Sequence, residues 1–169
     1  MSTIVATSVV SASEADIANT VYLDLKDGRV VIELLPKFAP NHVARIKELV
    51  AKGFYDGIVF HRVIDGFMAQ TGDPTGTGAG GSGKKIKAEF SSEPHLRGML
   101  SMARAEDPNS ADSQFFIVLK DSTFLDNQYT VFGRVVSGME FVDMIKKGPA
   151  GRDGPVVNPD KIVKMSLAE

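Results

Sequence analysis

Phe60-His61-Arg62-Val63-Ile64-Asp65-Gly66-Phe67-Met68-Ala69-Gln70-Thr71-Gly72-Asp73 is the stretch on which the reading of this chain turns. Its pattern predicts two strands, Val59–Ile64 and Phe67–Gly72, joined at Asp65-Gly66. Side chains two apart in a strand share a face. Met68 and Gln70 therefore point one way and Ala69 the other, while Arg62 shares a face with Phe60 and Ile64. One arginine, one amide and large apolar groups are gathered, with no nucleophile, metal cage or phosphate cradle among them. Arginine stays protonated and cannot act as a base. It can aim a fixed fork of hydrogen-bond donors at a weakly basic atom. Beside an apolar pocket, that suits a reaction in which no covalent bond is made or broken.

Working outward, Val21, Leu23 and Leu25 alternate with polar residues, Asp27-Gly28 turns the chain, and Val30, Ile32 and Leu34 alternate again, which predicts a hairpin. Pro40, then Val43, Ile46, Leu49 and Val50 at helical spacing, predict a helix closed by Gly53. Met99–Ala103, Gln114–Leu119, Thr130–Val136 and the alternation Val163, Met165, Leu167 predict further strands. Ser137-Gly138-Met139-Glu140 has capping-box spacing with Val136 and Phe141 placed as a staple, predicting a helix of about two to three turns to Lys147. Eight short strands and two helices result, and eight antiparallel strands can close into a barrel filled by side chains. In the Gln114 strand, Gln114 and Phe116 share one face, and Phe115 and Ile117 turn into the core. Taken singly, Gln70 or Gln114 reads as a solvated surface amide, and Arg62 as half of a weak ion pair. A face carrying Phe, Met, Gln and Arg together favours binding instead.

Residues 60–73 resemble the cyclophilin-type peptidyl-prolyl isomerases, and two further blocks agree: Gly98-Met99-Leu100-Ser101-Met102-Ala103-Arg104-Ala105 with Ser113-Gln114-Phe115-Phe116-Ile117, and Phe124-Leu125-Asp126 leading to Val131-Phe132-Gly133-Arg134-Val135. The motifs run in family order from about Thr20 to Leu167. The resemblance implies a mainly β fold, a closed eight-stranded antiparallel barrel with one helix over each open end, occupying residues 20–169. It implies an isomerase of X–Pro bonds that needs no cofactor, with Arg62 as the catalytic residue. Phe67, Met68, Gln70, Gln114, Phe116 and Leu125 match the proline-binding face, and Ala103 and Arg104 match positions that offer backbone hydrogen bonds to the peptide. Phe124 and Tyr129 complete the rim where relatives often carry Trp and His. The expected partners are proline-containing peptides and unfolded or folding proteins. Cyclosporin is expected to bind weakly, because Phe124 lacks the indole donor. Arg104 replaces a common Asn, and Glu106-Asp107-Pro108-Asn109 is one residue longer than the common animal form. The competing reading is a proline-peptide binding module or chaperone with negligible turnover, and intact Arg62 favours the enzyme. Ligand transport inside a barrel is disfavoured by bulky inward positions.

The chain has 169 residues, 43% apolar and 24% charged, which fits one soluble domain with a substantial core. A formal net charge of −2 gives no reason to expect nucleic acid or an anionic membrane. A monomer is expected. Absence of cysteine rules out disulfides and thiolate chemistry and fits a reducing cytoplasm, without separating it from the periplasm. Residues 1–19 have no Lys or Arg and an interrupted apolar run, so a flexible polar extension is expected rather than a signal peptide. Gly78-Ala79-Gly80-Gly81-Ser82-Gly83-Lys84 nearly spells a P-loop, but Lys85 stands where Ser or Thr would hold magnesium, so a flexible surface loop is the better reading. His42, His61 and His95 have no metal-ligand spacing. A hydrolase site from His61 with Ser101 or Ser113 lacks any supporting motif, and His61 is expected to be packed with its ring bonded to the backbone.

Overall fold

The computed structural model describes residues 17–168, so residues 1–16 of the expected N-terminal extension lie outside the described residues. Eight strands are formed there: β1 (Thr20–Leu25), β2 (Gly28–Leu34), β3 (Arg62–Ile64), β4 (Met68–Thr71), β5 (Met99–Met102), β6 (Phe115–Val118), β7 (Val131–Ser137) and β8 (Lys164–Leu167). They make one antiparallel sheet in the order β3-β4-β6-β5-β7-β2-β1-β8. Its inner face carries the core: Leu23, Ile32, Phe60, Val63, Ala69, Leu100, Phe115, Ile117 and Phe132 are all out of contact with water. Bulky side chains fill the interior, as the inward positions predict.

The expected closed barrel is not formed as a continuous ladder. The sheet is open and curled, with β3 and β8 as its edges. Irregular segments stitch the seam instead: Val59 bridges Lys161, Arg62 bridges Pro155, and the Phe60 and Val63 amides donate to the carbonyls of Asp160 and Gly154. The same irregularity shortens β3, and it breaks the alternation expected from Phe60 to Ile64. Phe60 and Val63 both enter the core, so Phe60 does not share a face with Arg62.

Helix α1 (Pro40–Ala51) starts on Pro40 and buries Val43, Ile46, Leu49 and Val50 in the core, as their spacing predicts. Gly53, at φ +70°, ends it. The β1–β2 turn is Lys26-Asp27, one residue earlier than expected, with Gly28 already paired to Leu25. Helix α2 (Met139–Asp143) is shorter than expected and has no capping box. Ser137 is still paired with Val31 in β7, and the N-cap position is taken by Gly138 at φ +88°. A Cβ on Gly138 would lie 2.4 Å from the Arg29 carbonyl oxygen, so the close approach to β2 sets this helix start rather than a side-chain cap. In β8, Met165 is buried while Val163 lies outside the strand and is exposed.

Candidate active site

Register places the site. Arg62 on β3 stands opposite Gln70 on β4, Gln70 opposite Phe116 on β6, and Phe116 opposite Ser101 on β5. Directly opposed residues project from the same face of a sheet. A single row across four strands therefore holds an arginine, an amide and an aromatic ring on the face away from the main core. Met68, one step along β4, joins Phe116, Val118, Leu125 and Val131 in a second apolar cluster, with Phe67, Ala103 and Tyr129 packed against it. The cluster leaves a cavity of about 120 Å³ walled by Phe67, Met68, Phe116, Leu125 and Tyr129, with Arg62 and Gln70 on its polar side. The expected exposed apolar face is thus a pocket floor: Met68 and Phe116 are buried.

The polar side is a directed hydrogen-bond chain. Arg62 Nη1 donates to Gln70 Oε1 at 3.1 Å, Gln70 Nε2 donates to Gln114 Oε1 at 2.9 Å, and Gln114 Nε2 donates to the carbonyls of Gly78 and Gly80, each at 2.9 Å. Because two carbonyls can be met only by the NH₂ end of Gln114, both amides have one possible orientation. On its other side, Arg62 donates from Nε to the Asp153 carbonyl at 2.9 Å and from Nη2 to the Asp153 carboxylate at 3.0 Å. Three of five guanidinium N–H groups are so committed, and the Arg62 side chain is still 34% exposed. It is a held donor with donors to spare. A second, wider cavity of about 320 Å³ adjoins the first, sharing Gln70, Ala103 and Arg104 and including Gln114.

A family model described as "Cyclophilin type peptidyl-prolyl cis-trans isomerase/CLD" matches residues 20–167. The chain belongs to that family and is a peptidyl-prolyl cis-trans isomerase. A "Probable peptidyl-prolyl cis-trans isomerase" of Brucella suis biovar 1 (strain 1330) is 54% identical over 172 residues, covering 95% of this chain and 88% of that one. "Peptidyl-prolyl cis-trans isomerase B" of Bacillus subtilis (strain 168) is 47% identical over 132 residues, covering 76% and 92%. Among solved structures, cyclophilin AquaCyp293 from Hirschia baltica aligns with a TM-score of 0.80 at 31% identity, over 90% of this chain and 75% of that one. A Cryptosporidium parvum cyclophilin-type isomerase, crystallised in the presence of the dipeptide Ala-Pro, aligns with a TM-score of 0.81 at 31% identity, over 89% and 99%.

Of the residues the isomerase resemblance selects, all but two line the smaller cavity. Gln114 lines the wider one. Phe124 lines neither: it is the middle residue of the short 3₁₀ turn Thr123–Leu125, is 66% exposed, and rests on the Phe67 ring at 5.6 Å. Ala103 already donates its amide to the Gln114 carbonyl at 3.0 Å. The Arg104 side chain is committed to the protein, donating to the carbonyls of Gln128, Ala105 and Glu106 and lying 4.6 Å over the Tyr129 ring. It ties the two loops at the cavity mouth together, a role a shorter Asn could not fill.

Sequence reasoning misses what stands behind the pocket. His95, fully buried in a loop, stacks on Phe116 at 6.2 Å and meets Tyr129 edge-on at 6.4 Å. Its Nδ1 is 2.9 Å from the Asp126 carboxylate and its Nε2 is 2.8 Å from the Ser101 hydroxyl. Burial pushes the imidazole pKa down, against the hydrogen bond and charge of Asp126. The Asp126–His95–Ser101 line has the atom order of a hydrolase triad. Ser101 and His95 are both closed to water, however, so no substrate reaches the hydroxyl. Ser101 is thus partnered by His95 rather than His61, and Ser113 donates to the Gly72 carbonyl. His61 Nδ1 is buried with no partner among the described residues, contrary to the expected backbone bond. Asp153 was equally invisible, since 91 residues separate it from Arg62.

The glycine-rich segment is not a free loop. Its first half is folded around the Asp73 carboxylate, which accepts from Thr75 N (2.8 Å), Thr75 Oγ1 (2.8 Å), Thr77 N (3.1 Å) and Gly78 N (2.6 Å). Its second half closes on Asp112, through Ser82 N, Ser82 Oγ and Gly83 N. Its backbone donors serve the protein's own carboxylates rather than a phosphate.

Proposed function

We propose that this isomerase accelerates X–Pro rotation by hydrogen bonding from Arg62 to the prolyl nitrogen, with the proline ring held in the Phe67–Met68–Phe116–Leu125–Tyr129 cavity. The bond to be rotated has partial double-bond character, a barrier of about 18–20 kcal/mol and an uncatalysed time of roughly tens to hundreds of seconds. At the twisted transition state, resonance is broken and the nitrogen regains a lone pair. It can then accept a hydrogen bond that the planar ground state could not. A donor aimed there strengthens only as the bond twists, which is the condition for raising kcat rather than merely tightening binding. A thousandfold acceleration requires about 4 kcal/mol, within reach of one charge-assisted hydrogen bond in a partly dry pocket.

The observation that carries this reading is the Arg62 guanidinium, pinned by Gln70 and Asp153 at the polar edge of a cavity walled by Phe67, Met68, Phe116 and Leu125, with N–H groups left over. The apolar walls grip the ring, and Gln70 with the backbone of Ala103 and Arg104 holds the flanking chain. A binding module would need the walls but not the held donor. Exchange spectroscopy on a short X–Pro peptide separates the two. With substoichiometric protein, cross-peaks between cis and trans resonances within a second support the enzyme. Line broadening without such exchange supports the binding module.

A further inference from the structure

We propose that Asp73 is a positioning residue for catalysis, acting on Arg62 through the glycine-rich segment and the two glutamines. This rests on the reading of Arg62 as the catalytic donor. Asp73 touches no cavity wall of the proline site and is 1% exposed. A carboxylate in such a place needs partners, and it has taken donors from Thr75, Thr77 and Gly78. Burial alone would push its pKa up. The hydrogen bonds from the Thr75 hydroxyl and the backbone amides outweigh that and bring it down to about 2. Asp73 is therefore charged at any pH at which the enzyme works, and the turn wound around it is fixed by charge-assisted bonds.

That turn has an output. It directs the Gly78 and Gly80 carbonyls at Gln114 Nε2, which leaves Gln114 Oε1 to accept from Gln70. Gln70 Oε1 then has to face Arg62 Nη1. Every amide in the chain points the same way, so each bond polarises the next. If the carbonyls moved, Gln114 could turn over and present its NH₂ to Gln70. Gln70 would turn in response and present donors to a donor, and Arg62 would lose the contact that sets its Nη1 side. The opposite side of Arg62 is held by Asp153, whose side chain is 89% exposed and whose ion pair is correspondingly weak. The half-buried relay sets the Nη1 side, while the Asp153 backbone carbonyl holds Nε on the other. The relay also explains Gly80: a Cβ there would lie 2.1 Å from Asp73 Oδ1 and 2.9 Å from the Thr75 side chain.

A double-mutant cycle in kcat/KM tests this. Asp73→Asn, Gln70→Ala and the double variant are assayed on a short X–Pro peptide, alongside Arg62→Ala. Asp73→Asn is expected to lower kcat/KM by about tenfold, short of the roughly 10²-fold that a 1 Å misplacement can cost. In the Gln70→Ala background the same change is expected to cost less than about twofold, because the relay is already cut. A merely structural role would give the same loss in both backgrounds. Equal losses, or no loss from Asp73→Asn, overturn the proposal. Should Asp73→Asn not fold, Thr75→Val, which removes one donor at little change in volume, and Gly80→Ala, which pries the turn open, carry the same cycle with the same two outcomes. Arg62→Ala keeps the two ideas apart. If it turns over like wild type, the mechanism fails. If it is impaired while the cycle is additive, only the role of Asp73 fails.

Discussion

Phe115 and Phe116 are neighbours in β6 that face opposite ways, and truncating each should do opposite things. Phe115 is fully buried in the main core, edge-on to Tyr55 at 5.4 Å and to Phe132 at 5.9 Å. Phe115→Ala leaves a sealed void among packed rings and is expected to cost about 3–5 kcal/mol. For a domain of this size that lowers Tm by roughly 6–20 °C, with kcat/KM per folded molecule changed no more than a few-fold. Phe116 faces a cavity that is already open, so Phe116→Ala enlarges that cavity instead of making a sealed void. Its stability cost is expected to be smaller, about 1–3 kcal/mol. The proline ring loses one wall, worth about 1–2 kcal/mol of apolar contact, or roughly a 5- to 30-fold fall in kcat/KM. Denaturant titrations paired with a protease-coupled assay on one X–Pro peptide read both quantities. Undiminished stability in Phe115→Ala together with undiminished activity in Phe116→Ala would refute the facing that places the site.

Cyclosporin is expected to inhibit this isomerase weakly, and Phe124→Trp to recover affinity, since position 124 is open to solvent and has room for the larger ring; a missing donor is worth about 1–3 kcal/mol, or roughly 5- to 150-fold, and equal inhibition constants would show the indole is not what is missing. Asp73 should support acid stability. The unfolded carboxyl, at its ordinary 3.8, takes up its proton before the folded one does at about 2. Stability contributed above pH 4 is therefore lost as pH falls towards 2, by about 2 kcal/mol. The wild-type advantage over Asp73→Asn in denaturant midpoint should shrink across that window, and a constant difference would contradict it. The imidazoles of His42, His61 and His95 all have pKa values lowered by burial, so the unfolded chain protonates first as pH drops below the ordinary histidine range. Stability should therefore decline as pH falls below 7, and the His95 ring carbons should titrate at lower pH than those of a free histidine.

What alternation and turn residues encode was legible. Met68 and Gln70 share a face, Phe115 and Ile117 enter the core, and Val43, Ile46, Leu49 and Val50 make the buried face of α1. Strand patterning failed at Phe60–Arg62, because the seam between the sheet edges is held by irregular backbone bonds that no side-chain period records. The capping-box spacing at Ser137 failed for a tertiary reason: β7 keeps Ser137, and the contact of Gly138 with β2 starts the helix. The site's walls could be named from the family motifs, but its supports could not. Asp153, His95 and Asp73 reach Arg62, Phe116 and the glycine turn through long-range or buried polar contacts, and a lone Asp or His in a sequence does not announce its partner. The glycine-rich composition of 74–85 suggests freedom, whereas Gly80 and Gly81 mark close approach to Asp73 and Asp112.

The central claim is that Arg62 stabilises the twisted transition state. The most direct measurement is kcat/KM of Arg62→Ala and Arg62→Lys on an X–Pro peptide, with circular dichroism confirming the fold. The alanine variant is expected to fall by roughly 10²–10³-fold, as loss of one transition-state donor does. Lysine should restore only part, because an ammonium cannot hold Gln70 and Asp153 while keeping donors free for the substrate. Wild-type turnover in a folded Arg62→Ala protein would contradict the mechanism outright.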